Sequence, residues 1–299
     1  MLQYLNLIKT VLRDGIPKAD RTGTGTVSTL GELRRYPLML GYKPVLPLVT
    51  AKETKTRSII RELLWFIRGE TNIKTLGCGI WNEWADENGE LGPIYGKQWR
   101  RWEDTKMVWD FETARCEQLE ERGYELMGTL PEGLRCYHRE IDQLTNAIEM
   151  LRTNPDSRRI IVSAWNPGDI DDMALPPCHS FFQFFSEEVQ GERLLTCLLY
   201  QRSADVFLGV PFNIASYGLL THLVASVTNH KAVEFIHVTG DTHLYQNHLD
   251  LARGLLDAPT YDLAGLSLDL KMDIDEYTED DIHILNYKSG PFLKAPVAV

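Results

Sequence analysis

Residues 174–200 constrain the chain most. Ala174-Leu175-Pro176-Pro177-Cys178-His179-Ser180 runs into the apolar stretch Phe181 to Phe185, and a polar loop containing Gly191 separates it from a second apolar stretch, Leu194 to Tyr200. Two such runs divided by a glycine-bearing loop predict a hairpin. Strands this apolar bury both faces, which places them inside a layered structure. The two prolines fix their own φ and restrict the residue before each, so the backbone entering Cys178 is stiff and its sulfur is aimed. A buried structural cysteine packs there as a small hydrophobe. An aimed thiol is also what covalent catalysis needs, and the remaining motifs have to decide between the two.

No repeat, low-complexity segment or linker divides the 299 residues, which read as a single domain over 1–299. No apolar run approaches the roughly 20 residues that span a bilayer. Met1-Leu2-Gln3-Tyr4 lacks the basic and apolar regions of a signal peptide. A cytoplasmic protein is expected, with no membrane partner. The five cysteines, an odd number without framework spacing, suit a reducing compartment. Cys136-Tyr137-His138 and Cys178-His179 lack a second ligand pair at zinc-like spacing, so no metal is expected. A net charge of −11 argues against nucleic acid as a partner. Any small anion must then be held by clustered arginines, for which Arg21, Arg158, Arg159 and Arg202 are the candidates.

Helical spacing of Leu5, Ile8 and Leu12 predicts a surface helix over residues 2–14, stopped by Gly15. Asp20 to Thr26 is a Gly/Thr loop with one arginine, suited to a solvated turn or to an anion approached by backbone N–H groups. Between Thr56 and Gly69, Ile59, Leu63 and Phe66 mark an apolar helix face, and Glu62 stands on that face. A carboxylate there either pairs with Arg57 or Arg61, or loses hydration and titrates near neutral pH. The aromatic run through Trp81, Trp84, Tyr95 and Trp99 fits core packing or a stacking platform. Residues 103–140 read as a surface insertion with one helix, Phe111 to Arg122, and a loop, Gly128 to Gly133. A helix follows from Ile141, ended by Asn154-Pro155, and then a strand, Ile160 to Trp165, in which the sheet should direct at least one of Arg158 and Arg159. Asn213 precedes a helix from Ile214 to about Thr228, as an N-cap or as an amide offered to a ligand. Ala232 to Thr239 is a strand, and His243 and Tyr245, two apart, share a face in extended chain.

Asp20 to Thr26, Glu62 to Phe66, Asp156 to Trp165, Leu175 to Phe182, Gln201-Arg202-Ser203, Pro211 to Tyr217, Asp241 to Tyr245 and Lys294 to Val299 occur in one order. Together they resemble the folate-dependent thymidylate synthase family, bacterial or phage type, over nearly the whole chain. The resemblance implies reductive methylation of deoxyuridine monophosphate (dUMP), with 5,10-methylenetetrahydrofolate giving carbon and hydride. It implies Cys178 as nucleophile, and Glu62, Tyr95, His179, Arg202 and Asp205 beside it in the reaction. It implies Arg21, Arg158, Arg159, Arg202 and Ser203 on the phosphate, Asn213 on the base, and His243 and Tyr245 on the sugar. Lys52, Ile80, Trp81, Trp84, Leu175, Asp205, Gly209, Phe212 and the tail to Val299 would face the folate.

The implied architecture is α/β (α+β): a twisted mixed sheet surrounded by helices. Two such sheets would pack face to face in a homodimer, with Arg158 and Arg159 crossing to the partner's site. The chain departs from the family pattern at Ala51 and Glu53, beside the expected folate tail, and at Asn82 between the tryptophans. Leu76-Gly77-Cys78-Gly79, ahead of Ile80, is short. The alternatives are a deoxyuridylate hydroxymethylase of the same fold, in which water captures the methylene, and a non-catalytic nucleotide- or RNA-binding regulator.

Overall fold

In the computed structural model, which describes residues 1–297, the hairpin around Gly191 forms and runs well beyond its apolar core. Gln190 and Gly191 both take positive φ, 54° and 80°, the backbone of a two-residue turn whose twist matches the strands it joins. In chain order the elements are α1 (Leu2–Asp14), β1 (Ile16–Lys18), β2 (Thr26–Pro37), β3 (Met39–Leu40), β4 (Lys43–Leu46), α2 (Thr56–Ile67) and α3 (Tyr95–Arg100). Next come β5 (Trp102–Trp109), α4 (Thr113–Glu121), β6 (Glu125–Leu130), β7 (Leu134–Ile141), α5 (Gln143–Thr153) and β8 (Ile161–Ser163). The hairpin is β9 (His179–Val189) and β10 (Glu192–Asp205), followed by α6 (Gly209–Val227), β11 (Lys231–Tyr245), α7 (Leu249–Leu255), β12 (Ala264–Leu268) and β13 (Ile282–Leu285).

The main sheet has the order β1-β2-β11-β10-β9-β8 and is mixed: β10 and β11 run parallel, joined by α6, and the other neighbours are antiparallel. A helix apolar on every side has to be buried, and α6 is, with Ile214, Leu219, Leu220 and Leu223 all at 0% exposure. Each such side chain contributes about 1.5–3 kcal/mol by leaving water. At 19 residues α6 is long and apolar enough to cross a membrane, contrary to the reading that no such run exists, but 89% of its apolar window lies inside the protein. It also begins earlier than Ile214. Asn213 is therefore inside the helix and not its N-cap; Leu208 holds that position without a side-chain cap, and just ahead of it Asp205 Oδ1 accepts from Phe207 N–H at 2.9 Å and Leu208 N–H at 3.2 Å.

The sheet face toward α6 carries Phe182, Phe184, Leu195, Cys197, Leu199 and Phe235, all buried. On the opposite face the chain covers nothing completely: Phe181 is 38%, Phe185 59%, Leu33 48% and Ile161 42% exposed. Within one chain the hairpin thus buries one face, not both. The strand pairing lines up Leu33, Val238, Tyr200 and Phe181 across four strands of that open face.

Residues 103–140 differ from expectation. They form an antiparallel sheet, β5-β7-β6, with α4 over a small core of its own: Val108, Cys116, Leu119, Tyr124 and Tyr137. The helix was legible. The strands were not, because charged residues in β5 and β7 and exposed apolar ones in β6 (Leu126, Met127, Leu130) break the alternation that marks a strand. The expected loop Gly128 to Gly133 is the end of β6 and a single turn, Pro131–Gly133.

Gly218 shows how closely α6 packs. A Cβ there would stand 2.7 and 2.8 Å from two ring carbons of Pro47 and 3.3 Å from Leu38. A proline ring cannot swing aside, so Gly218→Val is expected to lose about 1–3 kcal/mol through overpacking. Urea unfolding of the purified variant checks this.

Candidate active site

The site is assembled by strand register. Gln201 on β10 lies opposite His179 on β9, Ser203 and Asp205 lie beside Asp241 and His243 on β11, and His243 and Tyr245 face Ser28 and Thr26 on β2. Cys178 immediately precedes β9. Its N–H donates to the Tyr95 hydroxyl at 2.8 Å, and its carbonyl accepts from the Arg202 backbone N–H at 2.9 Å. The prolines add to this, since their carbonyls remain acceptors. Arg202 donates from Nε to Pro177 O at 2.9 Å and from Nη2 to Pro176 O at 2.8 Å, with its guanidinium 5.2 Å from the Trp165 ring centre.

Burial governs the charges here. It pushes the Cys178 thiol up, against Arg202 and a hydrogen bond from Ser203, which favour the thiolate; Asp205 adds to the upward push. Burial also raises Glu62 from its usual 4.5 to about 7, opposed by Trp81, whose indole N–H donates to Glu62 Oε1 at 2.7 Å. That displacement corresponds to about 3 kcal/mol against the carboxylate. The alternative ion pairs do not form: Arg57 and Arg61 both pair with Glu279. His179 is drawn down to about 4 by burial despite a hydrogen bond to Asn213, so it is a neutral imidazole. Its ring packs 5.1 Å from Tyr95 and 5.3 Å from Tyr217.

On the nucleotide side of the expectation, the Asp20 carboxylate organises the Gly/Thr loop, accepting from Thr22 Oγ1 at 2.5 Å and from Gly25 N–H at 2.7 Å, which leaves Arg21 exposed. Tyr245 lies close enough to Asp205, Asp20, Cys178 and Arg21 to feel the charge of each, and burial is the larger cause of its rise to about 12. Asn213 is buried, and Gln201 Nε2 donates to its Oδ1 at 3.0 Å; Gln201 Oε1 is in turn 2.8 Å from His237 Nε2. This chain fixes which way the Asn213 carboxamide points. Arg158 and Arg159 differ: both side chains are exposed, and neither guanidinium has a hydrogen bond or ion pair among the described residues. The sheet directs neither, contrary to expectation.

Among the residues expected to face the folate, Trp81 is buried and meets Trp84 edge-on at 5.6 Å, with Ile80, Leu175, Gly209 and Phe212 half-buried. Asp205 Oδ1 accepts from Phe207 and Leu208 N–H, and Oδ2 has no hydrogen-bond partner among the described residues. Lys52 does not reach outward. Its Nζ donates to Phe207 O at 2.6 Å and sits 4.0 Å from that ring's centre, and burial lowers its pKa to about 8. The tail is docked through Gly290 N–H to Thr50 O at 2.9 Å and His248 Nε2 to Pro296 O at 2.8 Å. Val299 lies outside the described residues. Among the described residues no cluster of three or more His, Cys, Asp or Glu is placed to hold a metal.

Sequence reasoning missed Gln201, His237, Asp241 and Ser28. Gln201 stood inside a quoted motif, and the period of two already tied Asp241 to His243. Ser28 carries no local signal, because only the pairing of β2 with β11 brings it there. Compared with known families, the chain matches the family model described as Thymidylate synthase over residues 2–299.

Glu62 makes stability depend on pH in a defined direction. Its folded value lies above its unfolded one, so its contribution is present below about 4.5 and is lost as pH rises through about 7. Glu62→Gln is expected to stabilise the fold by up to about 3 kcal/mol at pH 8 and to change little at pH 4.5. Urea unfolding at the two pH values measures the difference.

Proposed function

The chain belongs to the thymidylate synthase family, and we propose that it catalyses the reductive methylation of dUMP to dTMP with 5,10-methylenetetrahydrofolate. What carries this reading is Cys178, pinned through its own N–H and C=O to Tyr95 and to Arg202 on β10, the strand that also carries Ser203 and Asp205 beside His243 of β11.

Carbon 5 of uracil is a weak nucleophile, so a thiolate first adds at carbon 6 and makes the ring an enolate. Burial holds the Cys178 thiol protonated in the free chain. The thiol proton must therefore pass to solvent water before the sulfur adds to carbon 6, and Arg202 and Ser203 stabilise the thiolate that results. Arg21, Arg202 and Ser203 hold the phosphate, a dianion that an acidic protein can bind only with local guanidinium groups. Asn213, oriented by Gln201, pairs with the amide edge of the base. Glu62, half-protonated near neutral pH, takes and returns protons, with Tyr95 and neutral His179 in the same buried region. The folate supplies a one-carbon unit and a hydride. Trp81, Trp84, Ile80, Leu175, Phe212, Gly209 and Asp205 form the wall that orients it and excludes water. Lys52, turned inward, has no part in that wall in the free chain.

The open sheet face suits a second copy of the chain, which would cover Leu33, Tyr200 and Phe181 and bring its Arg158 and Arg159 to the phosphate. We read the protein as a cytoplasmic homodimer with residues 103–140 as a surface insertion on a single catalytic domain.

Cys178→Ser should abolish turnover while dUMP still binds, measured by calorimetry; a variant that keeps its activity removes the nucleophile from the account. Arg159→Ala should weaken dUMP binding at least tenfold, the scale of one lost charge-assisted contact. Mixing and refolding the two variants should give a class of active sites with wild-type KM for dUMP, which neither variant has alone, because one site of each mixed dimer is intact. The absence of that class would refute sharing across the interface.

A further inference from the structure

Asp241 precedes His243 by two residues on β11, so both side chains lie on one face of the strand. Asp241 Oδ1 accepts from Ser28 Oγ at 2.7 Å and is 3.1 Å from His243 Nδ1, while Oδ2 pairs with Lys18 Nζ at 2.5 Å. Ser28 is positioned for this by register, directly opposite His243 on β2. Burial pushes the Asp241 carboxyl up, but Lys18, Ser28 and His243 together hold it below the usual carboxylate range, so it is anionic and can only accept. His243 is 7% exposed and packs edge-on against Tyr245 at 5.2 Å, so its ring cannot turn freely. Its Nε2 has no hydrogen-bond partner among the described residues.

A neutral imidazole has one donor nitrogen and one acceptor nitrogen, and the partner of the first decides which is which. We propose that Asp241, braced by Ser28 and Lys18, is a positioning residue that locks the proton on His243 Nδ1, so that Nε2 meets the nucleotide as an acceptor and selects a sugar hydroxyl. The proposal rests on the reading of His243 and Tyr245 as the sugar contacts. A 2′-deoxynucleoside 5′-phosphate has one free hydroxyl, at the 3′ position, which must donate to this acceptor. An analogue without it leaves a buried acceptor unpaired, and sites built this way discriminate strongly.

The test has two arms. In the free protein, ¹⁵N NMR of labelled histidines, with His243 assigned by its loss in His243→Gln, should show Nδ1 protonated and Nε2 bare. The opposite tautomer, or protons on both nitrogens at neutral pH, overturns the proposal whatever the protein catalyses. In the second arm, wild type should prefer dUMP over 2′,3′-dideoxyuridylate by about 10- to 100-fold, the range set by one unsatisfied buried polar group. In Asp241→Asn that preference should shrink toward unity as KM for dUMP rises more than kcat falls, and Ser28→Ala should shift it the same way by less. Should Asp241→Asn fail to fold, Ser28→Ala and the wild-type tautomer decide. Undiminished preference in a folded Asp241→Asn overturns the lock. A protein that binds dUMP but makes no thymidylate refutes only the reaction, and the same ratios are then read from dissociation constants.

Discussion

The Arg202 side chain and backbone hold Pro176, Pro177 and Cys178 to the end of β10, and the rest of the site depends on this attachment. The segment has no strand partner of its own there. Two of its residues lack an N–H, so the backbone offers carbonyls, and the guanidinium fork takes two of them while the Arg202 amide takes the third. Three hydrogen bonds from one residue turn a stiff loop into a fixed one. Because β10 also lies between β9 and β11, the same residue ties the thiol to the register that delivers His179 on one side and His243 on the other.

Burial then sets the chemistry. It raises the Cys178 thiol and Glu62 and lowers His179, so the free site contains a protonated thiol, a carboxyl poised at about 7 and a neutral imidazole. Uncharged groups are the inexpensive state for a buried site awaiting ligands. Lys52 is likewise buried, over the Phe207 ring, and burial lowers its pKa to about 8.

Much of this was legible in the chain. The hairpin and the helix bearing Glu62 announced themselves through apolar periodicity, and the proline pair marked Cys178 as aimed; the strand expected over Ala232 to Thr239 runs on to Tyr245 and so carries His243 and Tyr245 as well. Other features were hidden for physical reasons. Asn213 looked like a cap because Pro211 disguised the true start of α6 at Gly209, behind an N-cap position, Leu208, that carries no side-chain cap. Ser28 and Asp241 belong together only through the pairing of strands more than 200 residues apart in sequence. The strands of residues 103–140 carry charged residues in β5 and β7 and exposed apolar ones in β6, so their alternation was masked. Arg158 and Arg159, read as guided by the sheet, reach into solvent in the single chain.

The central claim is that this site passes a one-carbon unit and a hydride to uracil, and product identity tests it most directly. The pure protein is incubated with dUMP and 5,10-methylenetetrahydrofolate, following dihydrofolate absorbance and the nucleotide's mass. The account predicts a methyl-sized mass gain with one dihydrofolate formed per nucleotide. A hydroxymethyl-sized gain without dihydrofolate would contradict it and show that water reaches the methylene past Trp81.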